Sequence, residues 1–199
     1  MKLADTDEAA VTALSLMQGF AAPWCVAGGW AIDLFLGRTT RPHSDLELAV
    51  FRQDQSRLRA HFAGWTFTLS VNGRRDAWQD GTALELPIHE IHAYSGDQPR
   101  QSIEFLLNER NGAHWVFRRD PQITLPLDRA FITSSFGVPV LSPEIVLLFK
   151  AKVPREKDKA DFDATCIAMD RSRVRWLRSA LLTCHPRHPW IAEIDAAAP

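Results

Sequence analysis

GGWAIDLFLGRTTRPHSDLEL, residues 28–48, is the stretch whose reading decides the fold. Gly28 and Gly29 open an apolar run, WAIDLFLG, that reads as a helix stopped by Gly37. Residues 44–52, SDLELAVFR, alternate as a strand does: Leu46, Leu48 and Val50 take one side, and Asp45, Glu47 and Ala49 the other. Two carboxylates two residues apart on a strand leave the same face and repel each other. Either that face is solvated or a cation lies between them.

The residues before this stretch read as an amphipathic helix over 7–20, apolar at Val11, Leu14, Met17 and Phe20, and then a short strand, WCVA, at 24–27. After it, QDQSRLRAHFAG reads as a helix with Gly64 as its stop. From Trp65 to Leu107 the chain is β-rich. WTFTLSV, ALELPIHEIHAY and QSIEFLL are the candidate strands there, with NGRRD and SGDQPRQ as turns and Pro87 demoting part of its segment. Residues 108–140 carry RRDP and further prolines and read as loop with short extended pieces. Ser142 and Pro143 suit a helix start, and PEIVLLFKAK, EKDKADFDATCIAM and SRVRWLRSALLTC then read as helices. This order predicts an α+β (α/β) fold: a mixed sheet flanked by helices, with a helical C-terminal part. The expected division is 1–140 for the sheet domain and 141–199 for a helical region packed on it.

A formal net charge of -1 over 199 residues argues against a nucleic-acid binder that works by bulk positive charge. No apolar run reaches the length of a membrane span. The N-terminus, MKLADTDEAA, has acids where a secretory signal needs a basic start. Cys25, Cys166 and Cys184 are odd in number and far apart, which fits reduced thiols. Together these predict a cytoplasmic protein without a membrane partner.

Oxygen-only ligands such as Asp45 and Glu47 favour a hard cation, and Mg²⁺ held by a few carboxylates together with substrate phosphates is the usual arrangement. Alternation in SIEFLLNE sets Glu104 apart from Ile103, Phe105 and Leu107 as a third acid, with Glu85 and Glu90 as rivals from the adjoining β segment. Strand, glycines and helix in WCVAGGWAIDLF offer backbone amides to a phosphate. A phosphate cradle with a carboxylate trio is the apparatus of two-metal phosphoryl or nucleotidyl transfer.

The apolar-Gly-Gly pattern followed by Asp-apolar-Glu-apolar resembles the nucleotidyltransferase superfamily of DNA polymerase β type. More closely, residues 28–48 resemble the aminoglycoside 2''-adenylyltransferase-like family in the GGWAID helix, the GR-x-TR-x-H segment and the acidic strand. IEFLLNE, LSPEIVLLFKAK and KDKADF are similar to later segments of the same group. The resemblance spans about residues 24–165, with 65–100 unmatched. It implies a polymerase β-like nucleotidyltransferase domain in which Gly28 and Gly29 hold a triphosphate and Asp45 and Glu47 hold two Mg²⁺ ions. The third acid, placed at Glu104, would ligate metal or take the acceptor's proton. The implied reaction passes AMP from ATP to a hydroxyl of a small molecule. Rival readings are a toxin-like nucleotidyltransferase acting on tRNA or protein, and a degenerate fold that binds nucleotide alone. A homodimer that completes the cleft is consistent with the group. Glu at position 47, where Asp is commoner, is one methylene longer.

Around this core, Arg41 and His43 either touch the nucleotide or form a solvated loop, and Lys150 either reaches the triphosphate or snorkels from its helix. Trp30 either joins the nucleotide site or locks its helix against the sheet. Asp158 and Asp161 suit a helix cap or an ion pair. Glu85, Glu90 and Asp97 are candidates to line an acidic acceptor cleft. His89 with His92 and His185 with His188 lack the four-ligand set of a structural zinc.

Overall fold

The computed structural model describes residues 5–71, 74–96 and 102–197. The first half comprises α1 (Asp5–Leu16), β1 (Trp24–Val26), α2 (Gly28–Leu36), β2 (Leu46–Phe51), α3 (Gln55–His61), β3 (Trp65–Val71), β4 (Arg74–Ala77) and β5 (Glu90–Ser95). Next come β6 (Ile103–Asn111), β7 (His114–Val116), β8 (Thr124–Pro126), α4 (Leu127–Ala130), β9 (Phe131–Thr133) and β10 (Pro139–Leu141). Helices α5 (Pro143–Lys150), α6 (Glu156–Ala168), α7 (Arg171–Cys184) and α8 (Pro189–Ala197) follow.

The strands run β4-β3-β5-β6-β2-β1-β10-β9 across one mixed sheet, with β7 paired to β6 and β8 beside it. The β2–β6 and β1–β10 pairs are parallel and their neighbours antiparallel. Central β2 explains the apolar weight of its sequence: Leu48, Ala49 and Val50 are all fully buried, so both faces are covered beyond Glu47. Phe105 on β6 and Ile91 on β5 continue the core sideways, while Ile32 and Leu34 of α2 and Leu147 and Leu148 of α5 close it from the helices. This is the expected α+β arrangement, and among the described residues no helix is long and apolar enough to cross a membrane.

Several local expectations are corrected. Residues 108–140 are not mainly loop: β6 runs on to Asn111, turns at Gly112 with φ 55°, and pairs back as β7, with β8, α4, β9 and β10 beyond. Three-residue strands show no periodicity, which hid them. Arg74–Ala77, whose Arg74, Arg75 and Asp76 read as turn by sequence, is edge strand β4 against β3, and the exposed charges of those three residues suit an edge. ALELPIHEIHAY is a strand only from Glu90, and residues 84–89 form the loop that holds Pro87. Strand β2 begins at Leu46, so Asp45 stands just before it, exposed. Residues 72–73 of the first expected turn, residues 97–101 of the second, with Asp97, and residues 198–199 lie outside the described residues.

Candidate active site

Strand register builds the site. Glu47 of β2 lies opposite Glu104 of β6, and Glu104 lies opposite His92 of β5. Adjacent strands are ~4.8 Å apart, so these side chains form one row across three strands on one face. Glu90, two residues before His92, shares that face and accepts from His92 Nε2 at 2.8 Å. Metal-ligating atoms of Glu90, His92 and Glu104 come within 4.8 Å of one another. His92 therefore belongs with these acids and not with His89, which lies before β5 and bonds the Pro87 carbonyl at 2.7 Å. Of the rivals for the third acid, Glu90 and Glu104 both line the cavity, while exposed Glu85 does not.

That cavity has a volume of about 990 Å³ and brings Gly28, Gly29, Asp45, Glu47 and Glu104 together with Lys150. Helix α2 starts at its wall. Its N-cap residue, Ala27, offers no side-chain cap, and the Gly29 N–H instead donates to the Glu47 carboxylate. Gly28 has φ 59°, which suits glycine, and a Cβ there would fall inside the Glu47 carboxylate. A Cβ on Gly29 would overlap the His43 ring.

The electrostatics mark a cluster short of positive charge. Burial pushes the Glu104 carboxyl up to about 8, and Glu90, Glu47 and Asp45 add to the shift. Burial, then Asp45, raises Glu47 as well, against the Lys150 ammonium and the Gly29 amide. Among the described residues, none of Asp45, Glu47 and Glu104 is in a salt bridge. Asp45 accepts, among the described residues, only from its neighbour Ser44, at 3.1 Å. Uncompensated, oxygen-only donors facing a cavity fit a hard divalent cation such as Mg²⁺.

Beneath this cluster runs a chain of buried polar contacts that sequence reasoning largely missed. Asp33, fully buried in α2, accepts from Thr40 and holds His43 Nε2 at 2.6 Å. His43 Nδ1 lies 3.0 Å from Arg41 Nη1. Arginine can only donate, so Nδ1 accepts and the ring proton sits on Nε2, facing Asp33. Arg41 then grips Asp161 through two bonds of 3.0 and 2.9 Å. Lys150 bridges Asp161 and Asp158 at 2.9 Å each, and Arg155 closes the line on Asp158. Hence Arg41, His43 and Lys150 line the cavity with their polar groups engaged, tying the loop after α2 to α5 and α6. Asp158 also accepts from the Arg155 N–H at the start of α6, so it serves both as cap and ion-pair partner. Trp30 does not line this cavity; its ring packs on His43 at 4.4 Å and borders a smaller pocket beside α1. Asp33 was inconspicuous because a lone acid in an apolar helix reads as the solvent side. The one signal available was that Asp33 is the only side chain of WAIDLFL able to accept a hydrogen bond from the GRTTRPH segment.

Opposite charge lines another part of the wall. Arg118 and Arg119, from the RRDP read as loop, follow β7 and stack against Phe149 of α5, with guanidinium carbons 4.6 and 5.4 Å from the ring centre.

Comparison with known proteins bears on the family and the fold. The family model described as aminoglycoside-2''-adenylyltransferase matches residues 10–164. The solution structure of the antibiotic-resistance factor ANT(2'')-Ia is 18% identical, with a TM-score of 0.60, covering 90% of this chain and 92% of that one. A crystal structure of ANT(2'')-Ia with adenylyl-2''-tobramycin is 20% identical at a TM-score of 0.59, covering 88% and 97%. The lincomycin-bound lincosamide antibiotic adenylyltransferase LnuA is 14% identical at a TM-score of 0.55, covering 85% and 100%. Among curated proteins, no sequence matches. At such identities the structural likeness shows the fold.

Proposed function

Because the chain belongs to the aminoglycoside-2''-adenylyltransferase family, whose members are nucleotidyltransferases, we propose that it moves AMP from ATP onto a hydroxyl of a small molecule. The observation that carries this reading is the register of Glu47 against Glu104 beside the Gly29 amide, which gathers carboxylates and a helix N-terminus in one cavity. Asp45, Glu47 and Glu104 would hold Mg²⁺, as two ions. When bound, the metal offsets the charge of the phosphates and polarises the phosphorus under attack. The start of α2 at Gly28 and Gly29 lines the cavity and suits the triphosphate once Glu47 releases the Gly29 amide, since an α-helix start attracts anions and glycine lets them approach.

The acceptor oxygen attacks the α-phosphorus in line, a new P–O bond forms, and the bond to the β-phosphate oxygen breaks to release pyrophosphate. The hydroxyl proton passes to Glu104. A general base must be ionised to take a proton, and metal bound at Asp45 and Glu47 would favour the ionised form of Glu104, which lines the cavity opposite Glu47. Lys150, anchored by Asp158 and Asp161, offers a fixed positive charge to the phosphates from beside Glu47. Arg41 and His43 act through position: they brace the Gly29 turn from below and keep Lys150's partner Asp161 in place. The antibiotics named with ANT(2'')-Ia and LnuA make hydroxyl-bearing small molecules the acceptor class to try first.

Pyrophosphate release with ATP and Mg²⁺ across an acceptor panel tests the reading, with Asp45→Asn as the paired variant. Loss of turnover in the variant is expected; full turnover without that carboxylate would sink the metal assignment.

A further inference from the structure

We propose that Arg118 and Arg119 form an anion subsite for the acceptor, so that the acceptor is a small hydroxyl compound carrying a phosphate or a carboxylate. This rests on the nucleotidyl-transfer reading above and names the substrate class of the same site.

The pairing pattern is the first reason. Of the cavity's cations, Arg41 is matched to Asp161, Lys150 to Asp158 and Asp161, and Arg155 to Asp158. Lys152 and Lys157 are exposed, where water suffices. Arg118 is half-buried and Arg119, though exposed, is held against Phe149; among the described residues neither is in a salt bridge with any acid. Burying a guanidinium without a counter-charge, beside a second one, is unfavourable in the free protein. Burial and the neighbouring Arg119 and Arg52 hold Arg118 down to about 10, which still leaves it charged at neutral pH. An anion entering the cavity would relieve that strain.

Preorganisation is the second. Phe149 backs both planar groups, and Arg119 is pinned by a bond from Nη1 to the Phe149 carbonyl at 3.2 Å. Phe117 in turn packs on Phe149, with ring centres 5.1 Å apart. Stacked in this way, the guanidinium faces are spent on aromatic rings while N–H edges remain for a ligand. Such forks match phosphate and carboxylate oxygens.

Location is the third. The charges acting on Arg118 include Glu90 and Glu109, and those acting on His89 include Arg118 and Arg119. Lys150 instead acts on Glu47, beside the Gly29 amide. Along the Glu47–Glu104–His92 row, the Gly29 amide is one positive pole at the β2 end, and Glu90, bonded to His92 at the β5 end, is an acid that acts on Arg118 at the other. A nucleotide phosphate held at the α2 pole leaves the arginine pole to the other reactant. An acceptor anchored there by its anion would direct a hydroxyl toward Glu104. The cavity, at about 990 Å³, sits at the upper end of the ~300–1,000 Å³ of single-ligand pockets and has room for two molecules. A polycationic acceptor would instead meet two unpaired arginines, a repulsive placement.

Calorimetric titration of the full chain tests this, with Mg²⁺ and a non-hydrolysable ATP analogue at saturation. The probes are inorganic phosphate, a hexose phosphate, the same hexose without phosphate, and a polycationic aminosugar. The expected result is binding of both phosphate probes to the nucleotide-loaded protein, none of the plain hexose, and at least ~10-fold weaker phosphate binding in Arg118→Ala. Arg118→Lys and Arg119→Ala, checked for native melting, guard against a variant that fails to fold. Analogue affinity should stay within about twofold in all three, because the α2 pole is untouched. The inference is overturned if phosphate does not bind, if it binds equally to the variants, if hexose and hexose phosphate bind alike, or if the aminosugar binds best. A ~10-fold fall in analogue affinity in Arg118→Ala would also overturn it, by assigning the arginines to the nucleotide. Label from ATP appearing on RNA, and not on a small acceptor, would do the same. If the analogue itself does not bind the wild-type protein, the parent reading fails, and phosphate titration of the unliganded protein still reports on the arginines.

Discussion

Replacing Glu104 with Gln should make the metal-free protein more stable at alkaline pH while abolishing transfer. Glu104 is pushed up from 4.5 to about 8, first by burial and then by Glu90, Glu47 and Asp45. A raised folded pKa means that the native state keeps a proton which the unfolded chain has already released. Stability from this group is therefore full below pH 4.5 and falls as pH rises toward about 8. At ~1.4 kcal/mol per unit, the gap sets a ceiling of ~5 kcal/mol. The side chain is only partly buried and water screens its neighbours, which brings the expected loss to about 2 kcal/mol. The amide has no proton to lose and escapes this penalty. For a chain of this length each kcal/mol moves Tm by about 2–4 °C, so Glu104→Gln should melt roughly 4–8 °C higher near pH 8 and within ~1 °C near pH 5. Thermal unfolding by circular dichroism in the presence of a chelator measures both. A gain of the same size at both pH values, or a loss near pH 8, would refute the electrostatic account. Adding Mg²⁺ and an ATP analogue should reverse the order, since ligand then stabilises the wild type preferentially.

Three further outcomes follow from the same geometry. Gly28→Ala should cost about 1–2 kcal/mol through its positive φ and cut kcat by ~100-fold or more by displacing the Glu47 carboxylate, read by melting and pyrophosphate release. Asp161→Asn leaves Arg41 and Lys150 short of a buried counter-charge and should lower stability by about 3 kcal/mol, measured by urea unfolding. Burial raises the Asp158 carboxyl, but bonds from Arg155 and Lys150 outweigh it and hold the group well below 3.8. Its stability contribution is therefore present above that value and lost as pH falls below it, so Asp158→Asn should flatten the acid limb of the pH–stability curve.

Strong local periodicity made α2 and β2 legible. A glycine pair, an apolar turn and alternating leucines read the same from sequence as they do in three dimensions. Glu104 could be singled out because one acid interrupts a strand of Ile103, Phe105 and Leu107. Whether Glu104 or Glu90 stood beside Glu47 depended on strand order, and β6, not β5, pairs with β2. That is a long-range choice which local pattern does not encode. Asp33, His43, Arg41 and Asp161 were harder still, because their meaning lies in contacts between residues up to 120 positions apart. The arginines of RRDP lay in a segment of three-residue strands, where neither period shows.

The hydrogen bond from the Gly29 amide to Glu47 has a consequence for how the protein would load its substrate. The positive end of α2 is already taken by an anion of the protein's own. A triphosphate arriving there enters a competition with a tethered carboxylate that cannot diffuse away. Nucleotide affinity then depends on giving Glu47 somewhere better to go. A divalent cation offers that alternative, so metal and nucleotide should each tighten the other's binding, and ATP without metal should be a weak guest. On the proposed reading Glu47 would set the loading order, and the longer reach of Glu over Asp would let one side chain serve both posts.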